Sequence, residues 1–204
     1  EIVGAGSTFT EVSGKQMARM PILMPKIDEQ VCIGTFFRNL DRLITLHQCN
    51  CNMATRPCEW SSGLRAIAWE QREFKNLFKI LPNNTLSRAE LSFEKGIVKN
   101  LHYGDILIKF NEILDSCDKK IPFISRDMNF EKIKNAILKN GDVVIADAAE
   151  DEAVGKCTEI FNISQNEQII SGLHTIPCRP NIDFAQGFLG YYMNSNSYHS
   201  QLVP

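Results

Sequence analysis

The feature that most constrains the fold is an amphipathic helix close to the start of the chain. Between Pro25 and Gln48, apolar residues recur at spacings of four, three and four, at positions Ile33, Phe37, Leu40 and Ile44. Asp28 is placed to cap the amino end of this helix, and Pro25 prevents its extension backwards. An apolar stripe of this kind needs a partner. We expect it either to pack on the helix's own domain or to pair with another helix at a distance.

The bulk composition indicates a globular chain without a membrane role. Its 204 residues are enough for one good-sized core or two small ones. Hydrophobic residues make up 44% and charged residues 23%, and no apolar run is long enough to span a bilayer. The net charge of −2 argues against non-specific coating of nucleic acid but allows a local basic face. With seven irregularly spaced Cys and no export signal, we expect reduced thiols and a cytoplasmic location.

The periodic pattern is lost after the helix, so residues 49–65 are predicted to be a linker. This segment contains Pro57 and Gly63 and has no repeat. A zinc site is the alternative interpretation, because thiolate and imidazole side chains cluster here: His47, Cys49, Cys51 and Cys58. Cys49-x-Cys51 is a tighter spacing than that of the common zinc knuckle, and no Cys-x-x-Cys follows, so we predict no metal and no cofactor.

The remainder of the chain predicts a mixed α/β (α+β) fold with a strongly bent sheet. "YGDILIKF" from Tyr103 and "NGDVVIADA" from Asn140 each predict a Gly-Asp turn that enters a buried strand. The segment between them predicts a helix with Phe130, Ile133 and Ile137 on one face, ending at a glycine. "EIFNI", "QIISGLHTIPCRP" and "FAQGFLGYYMNSNSYHSQL" predict a strand, a strand pair and a closing helix.

Patterns typical of enzymes are weak in this sequence. Gly4-x-Gly6 lacks the third glycine and the preceding strand of a dinucleotide fingerprint. The four His residues have no metal-binding spacing, and a catalytic pair would have to be assembled by folding. The acidic stretch from Asp147 to Lys156 suits a solvated loop better than a divalent-metal site. We therefore predict no catalytic residues.

Several separate motifs resemble the DNA specificity (S) subunit of type I restriction-modification systems, and they occur in that family's order. "MPILMPKIDEQVCIGTFFRNLDRLITLHQ" resembles the exit from a target recognition domain followed by the conserved helix, and "AWEQREF" resembles the entry into the next recognition domain. "GDILIKF", "PFISRD", "GDVVIADAAED", "SGLHTIPCRP" and "FLGYYMNS" then follow in order.

This resemblance implies a non-catalytic subunit that reads one half of a split DNA site. The implied partners are double-stranded DNA and the methyltransferase and restriction subunits, with Ile33, Phe37, Leu40 and Ile44 as the partner interface on a coiled-coil-type spacer helix. Self-association through that helix is a further possibility. The alternative is a helix-mediated interaction module, or an inactive remnant, without DNA affinity. The implied organisation is a closing segment (1–26), the spacer helix (27–48), the linker (49–65) and a recognition domain without its own closing segment (66–204).

Candidate DNA contacts are polar and basic residues that we place at strand ends or in loops of the recognition domain. Phosphates need Lys, Arg and amide donors, whereas ordinary surface charge is the alternative for each residue. The candidates are Lys109, Asn111, Lys119, Lys120, Arg126, Lys156 and Arg179.

The order of segments departs from the family in two ways. We expect residues 1–26 to fold back beside Leu202 to Pro204 and close one domain, with Phe9 and Met17 packing on the Ile106 strand. The linker that follows Gln48 replaces the usual continuation of the helix, which would change the separation of the two half-sites.

Overall fold

The computed structural model describes residues 10–48, 69–94, 96–125, 133–150 and 152–202. Within them the fold is α+β, as the sequence predicted. The helices are α1 (Gly14–Met17), α2 (Ile27–Gln48), α3 (Phe74–Leu77), α4 (Tyr103–Ile108), α5 (Phe188–Asn194) and α6 (Asn196–His199), with a 3-10 turn at Arg88–Glu90. No helix of this described part is long and apolar enough to cross a membrane.

The strands form two main sheets and two short ribbons. In chain order they are β1 (Thr10–Glu11), β2 (Pro21–Met24), β3 (Glu70–Glu73), β4 (Phe78–Ile80), β5 (Leu91–Ser92), β6 (Val98–Leu101), β7 (Ile113–Asp115), β8 (Phe123–Ile124), β9 (Val143–Ala146), β10 (Ala148–Ala149), β11 (Cys157–Phe161), β12 (Gln168–Ser171) and β13 (Thr175–Pro180). The main sheets have the orders β4-β13-β9-β11-β7 and β12-β6-β8-β5.

The central strand of the larger sheet explains where the core lies. Every residue of β9 is buried, because the sheet is covered on both faces. The sequence of such a strand is an uninterrupted apolar run. The two faces of this strand belong to different apolar clusters, Val143 and Ile145 on one side and Val144 and Ala146 on the other. The predicted "DVVIA" strand is therefore confirmed, and it lies in the middle of the larger sheet.

The residues before α2 are part of the same body as the residues after the linker. β1 pairs with β10, and β2 pairs with β3, so both ribbons join the start of the chain to the later unit. Val12, Met17 and Ile22 share one apolar cluster with Tyr198 and Leu202. Met17 and Ile106 lie in different clusters, so the expected contact between them is absent, and Phe9 lies outside the described residues.

Two local predictions are wrong, and both errors arise from tertiary contacts. "YGDILIKF" was expected to be a strand, but Tyr103–Ile108 is a helix, whose first turn is capped when the His102 ring accepts a bond from the Gly104 amide at 3.2 Å. A short apolar run cannot distinguish a buried strand from a buried helix turn. The expected pair β12 and β13 exists as two strands, but β12 joins β6 and β13 joins β9 and β4.

Helix α2 is fixed along its first half to the loop that precedes α5. Gln30 is 4% exposed and accepts a bond from the Ala185 amide at 3.0 Å. Gly34 lies so close to this loop that a Cβ atom there would stand 3.2 Å from the carbonyl oxygen of Gln186. Arg38 donates to that same carbonyl at 2.6 Å. The helix is therefore anchored to the rest of the protein over three successive turns.

Candidate nucleic-acid interface

Among the predicted DNA contacts, Arg179 is held most tightly by the fold. Its guanidinium donates to both carboxylate oxygens of Asp142, at 2.9 and 2.6 Å, and to the carbonyl of Ile137 at 2.9 Å. The Asp142 side chain is only 2% exposed, so the pair is a buried bidentate bond that fixes the turn before β9. Arg179 thus has a structural role, and it also lines a surface cleft.

Lys109 and Lys156 are likewise held by neighbouring groups. The Lys109 amine lies 2.7 Å from a carboxylate oxygen of Asp105, which also binds Arg88. The Lys156 amine donates to the carbonyl of Leu107 at 3.0 Å, near the end of α4. Lys156 therefore places a cation near the carboxyl end of that helix, where cations are favourable, whereas the Lys109 amine is bonded to a carboxylate of the first turn.

The other predicted contacts are exposed or fall outside the described residues. Asn111 is exposed, and its backbone carbonyl accepts a bond from Thr158 at 2.8 Å. Lys119 and Lys120 are exposed in the turn between β7 and β8. β7 is an edge strand opposite the edge formed by β4, so these two lysines and Arg179 lie on different parts of the sheet. Arg126 lies outside the described residues.

A basic cleft of about 690 Å³ lies beside β4 and the turn before β9. Among the residues that the structure describes, the charged ones that line it are Lys79, Lys134, Lys139 and Arg179. Lys79 and Arg179 are directly opposite each other on paired strands, an arrangement of like charges that costs stability. Asp142 offsets the charge of Arg179, so Lys79 and Lys139 supply the net positive charge. Such a cleft suits an anion with several negative charges.

A polar cleft of about 610 Å³ adjoins the basic cleft, and both are lined by Leu81 and Pro82. Among the described residues that line it there is no Lys or Arg. Its polar walls carry hydroxyl, amide, imidazole and carboxylate groups from Glu11, Ser13, Gln16, Asn83, Asp147, His174 and Thr175. The charge of this surface is therefore segregated, with cations on one side of Pro82 and mixed donors and acceptors on the other.

The early residues of the chain complete the polar cleft. The Val12 amide donates to the carbonyl of Asp147 at 2.8 Å, which places β1 and α1 along one wall. The Ser13 and Gln16 side chains form a capping box at the start of α1, with bonds of 2.8 to 3.3 Å. Without residues 11–16 one side of the cleft would be open.

His174 occupies an unusual backbone conformation at the rim of this cleft. Its φ angle is +51°, in the left-handed region that non-glycine residues seldom adopt. The ring nitrogen Nδ1 lies 3.2 Å from Asp147 Oδ1, and the Tyr103 ring meets the imidazole edge-on at 5.3 Å between centroids. Burial raises the pKa of Asp147, and the neighbouring His174 offsets part of that increase.

A buried polar network holds the His174 turn in place. Thr175 Oγ1 lies 2.5 Å from both the Gly172 carbonyl and Ser171 Oγ. Asn84 donates its side-chain amide to the Ser171 carbonyl and to Asn100 Oδ1, at 2.8 and 2.7 Å. Because these groups are buried and joined to one another, the turn is rigid rather than freely adjustable.

Sequence reasoning missed most of the residues that line the two clefts. Of the cations in the basic cleft only Arg179 was predicted, because Lys79, Lys134 and Lys139 come from segments that the sequence gives no reason to bring together. One signal in the sequence points to part of the polar cleft: "LPNN" and "SGLHT" each place polar residues directly beside a buried strand. The zinc candidates Cys49, Cys51 and Cys58 and the side chain of His47 lie outside the described residues.

The predicted partner-interface residues divide between packed and projecting positions. Ile33 packs against the larger core cluster, and Phe37 stacks on Tyr191 at 5.2 Å between ring centroids. Leu40 and Ile44 are 37% and 56% exposed, and Leu43 is 41% exposed. The stripe thus begins on its own domain and ends on a surface that no other described part of the chain covers.

Comparison with known proteins does not assign the chain to a family. No family model matches the chain, and no curated protein matches it.

Proposed function

We propose that this chain is a DNA recognition subunit, or part of one, of a type I restriction-modification system, and that it reads one half of a bipartite site. The resemblance of several motifs in the family's order supports this proposal. Under it the chain has no reaction centre of its own, acts in the cytoplasm, and leaves methylation and cleavage to partner subunits.

The observation that carries the proposal is the segregation of charge between the adjoining clefts. Sequence-independent affinity for duplex DNA comes from cations at the phosphates, whereas specificity comes from donors and acceptors at base edges. Lys79 and Lys139 supply the first kind of surface, and the second kind begins directly beyond Pro82. A duplex with its backbone in the basic cleft would present a groove to Asn83 and His174.

Helix α2 would act as the spacer in this assembly. Its first half is fixed to the recognition unit through Gln30, Gly34 and Arg38, so its direction relative to the clefts is set. Its second half carries exposed Leu40, Leu43 and Ile44, which suit a coiled-coil seam with a second conserved helix or a methyltransferase subunit.

The decisive experiment is selection of bound duplexes from a random-sequence pool by the purified chain, followed by sequencing. We expect an enriched motif of a few base pairs, with each wrong base costing about 1–3 kcal/mol. The selection is repeated with Lys79→Ala and Lys139→Ala, and with Lys26→Ala as a matched control at the start of α2. Equal retention of DNA by all four proteins would exclude the basic cleft as the phosphate site.

A second function is favoured by the exposed half of α2. Three large apolar side chains within one and a half turns are typical of a surface that another helix covers. In an interaction module without DNA affinity, the chain would associate through this surface and enrich no sequence even at low salt. Sedimentation analysis of the wild type and of Ile44→Lys, alongside the selection, separates the two functions.

A further inference from the structure

The His174–Asp147 pair has the geometry of a base-reading group whose hydrogen-bonding character changes with protonation. The His174 side chain is 43% exposed and that of Asp147 is 26% exposed, and both residues line the polar cleft. The left-handed backbone at His174 is unfavourable for a non-glycine residue. The buried network of Thr175, Ser171 and Asn84 keeps the residue in that conformation.

The contact with Asp147 fixes which ring nitrogen carries the proton in neutral His174. The carboxylate of Asp147 accepts from Nδ1–H at 3.2 Å, so Nε2 of the neutral ring is a hydrogen-bond acceptor. When the ring takes up a second proton, Nε2–H becomes a donor. The same atom at the same place therefore offers opposite hydrogen-bonding character in the two charge states.

These two states match different base edges in the major groove. An acceptor pairs with the exocyclic amine of adenine or cytosine, whereas a donor pairs with O6 or N7 of guanine. We propose that His174 reads one position of the DNA site, accepting from an amino-bearing base when neutral and donating to guanine when protonated, with Asp147 as its positioning residue. This inference rests on the proposed DNA-recognition function and names the residue that determines one base of the site.

The charged and titratable groups around the pair come from several parts of the fold. Asp147 lies in the segment between β9 and β10, and Glu11 of β1 lines the same cleft. Tyr103 of α4 meets the imidazole edge-on, and the His102 ring lies tilted to the Tyr103 ring at 4.7 Å between centroids. Burial lowers the pKa of His102. Because protonation of an imidazole turns its acceptor nitrogen into a donor, the two states are compared by changing the pH.

The test is the same random-pool selection carried out with the full chain at about pH 8 and at about pH 5.5. For the wild type we expect one position of the motif to favour adenine or cytosine at high pH and to shift towards guanine at low pH, by about tenfold. His174→Asn retains a side chain that tolerates the left-handed backbone but does not titrate, so its motif should be the same at both pH values. His174→Gly relieves the backbone and removes the ring, so that position should accept all four bases.

Two further variants separate the roles of the pair. Asp147→Asn retains an acceptor oxygen but removes the negative charge, so the change of preference should occur at a lower pH than in the wild type. His199→Gln is the matched control, because the His199 ring bonds the Val154 carbonyl at 2.7 Å on another face of the protein. The control should keep the wild-type shift.

The possible failures are distinguishable. A wild-type protein that enriches no sequence overturns the proposed function and this inference together. A wild-type motif that is identical at both pH values, or one that survives unchanged in both His174 variants, overturns the inference and leaves the DNA-recognition function standing. Thermal unfolding of each variant shows that it is folded before its motif is compared.

Discussion

Gln30 and Ala185 are joined by a hydrogen bond of 3.0 Å between the side-chain carbonyl of the first residue and the backbone amide of the second. The same Gln30 side chain donates to the carbonyl of Pro25 at 3.0 Å, so both the oxygen and the nitrogen of its amide are hydrogen-bonded. A buried polar residue near the start of α2 therefore links the helix to the segment before it and to the loop before α5. The periodic apolar stripe did not indicate this anchor.

Gln30→Ala is expected to lower the free energy of unfolding by about 2–4 kcal/mol, because it leaves two buried backbone groups without partners. Chemical denaturation monitored by circular dichroism measures the change. Gln71→Ala on the exposed strand β3 is the matched control, and it should stay within about 0.5 kcal/mol of the wild type. Equal effects of the two variants would show that the α2 anchor contributes nothing to stability.

Arg179→Ala is expected to destabilise the protein by about 3–5 kcal/mol, because it leaves the Asp142 carboxylate buried without its charge partner. Urea denaturation measures this loss. The double variant Arg179→Ala with Asp142→Asn removes the unpaired charge and should recover part of the stability. If Arg179→Ala has the same free energy of unfolding as the wild type but binds DNA poorly, the arginine contributes to DNA binding and not to the stability of the fold.

Lys79→Ala is expected to weaken DNA binding to all sequences by a similar factor. Removing one phosphate contact reduces the slope of log affinity against log salt by about 0.9. Titration of fluorescent duplexes at several salt concentrations measures that slope. The control Lys26→Ala should leave it unchanged, and so should Lys119→Ala if the turn between β7 and β8 lies away from the duplex. A reduced slope for Lys119→Ala with no effect of Lys79→Ala would place the DNA on the other sheet edge.

The pH dependence of stability should include a contribution from Glu167. Burial raises the pKa of this carboxyl, but its bonds to Lys99 and Ser116 outweigh that effect and hold the pKa below its ordinary value. Because the pKa of Glu167 is lower in the folded protein than its ordinary value of 4.5, the charged carboxylate stabilises the fold above that pH. This stabilisation is lost as the pH falls through the pKa of the folded state.

Glu167→Gln should therefore be less stable than the wild type by about 1–2 kcal/mol near neutral pH. The difference should shrink as both proteins are acidified, because the wild-type carboxyl then also becomes neutral. Denaturation curves at a series of pH values test this prediction. Glu150→Gln on an exposed turn is the control, and a pH-independent gap for Glu167→Gln would contradict the assigned cause.

Local sequence patterns were sufficient wherever a segment's structure depends on its own residues. The spacing of Ile33, Phe37, Leu40 and Ile44 located α2, and the run "DVVIA" located β9. One closing helix was predicted for the last segment, and the structure has two short helices there, Phe188–Asn194 and Asn196–His199. These elements are long or strongly apolar, so the burial of one face or both faces dictates a single conformation.

The candidate interface could not be predicted in the same way. The basic cleft is assembled from β4, from the segment that leads into β9, and from β13, and only the pairing of β13 with both other strands brings Lys79 and Lys139 to one surface. The polar cleft needs α1 from the start of the chain beside the turn that holds His174. Residues that far apart in sequence carry no shared period, so their proximity is not encoded locally.

The sequence by itself determined that an apolar stripe runs along a helix and that apolar strands build a mixed fold, because hydrophobic periodicity is a property of neighbouring residues. Only the tertiary structure decided that Tyr103–Ile108 is a helix, that Gln30 anchors α2, and that cations gather on one side of Pro82 with mixed hydrogen-bond donors and acceptors on the other. Those outcomes depend on which distant segments pack together, and packing is a property of the whole chain.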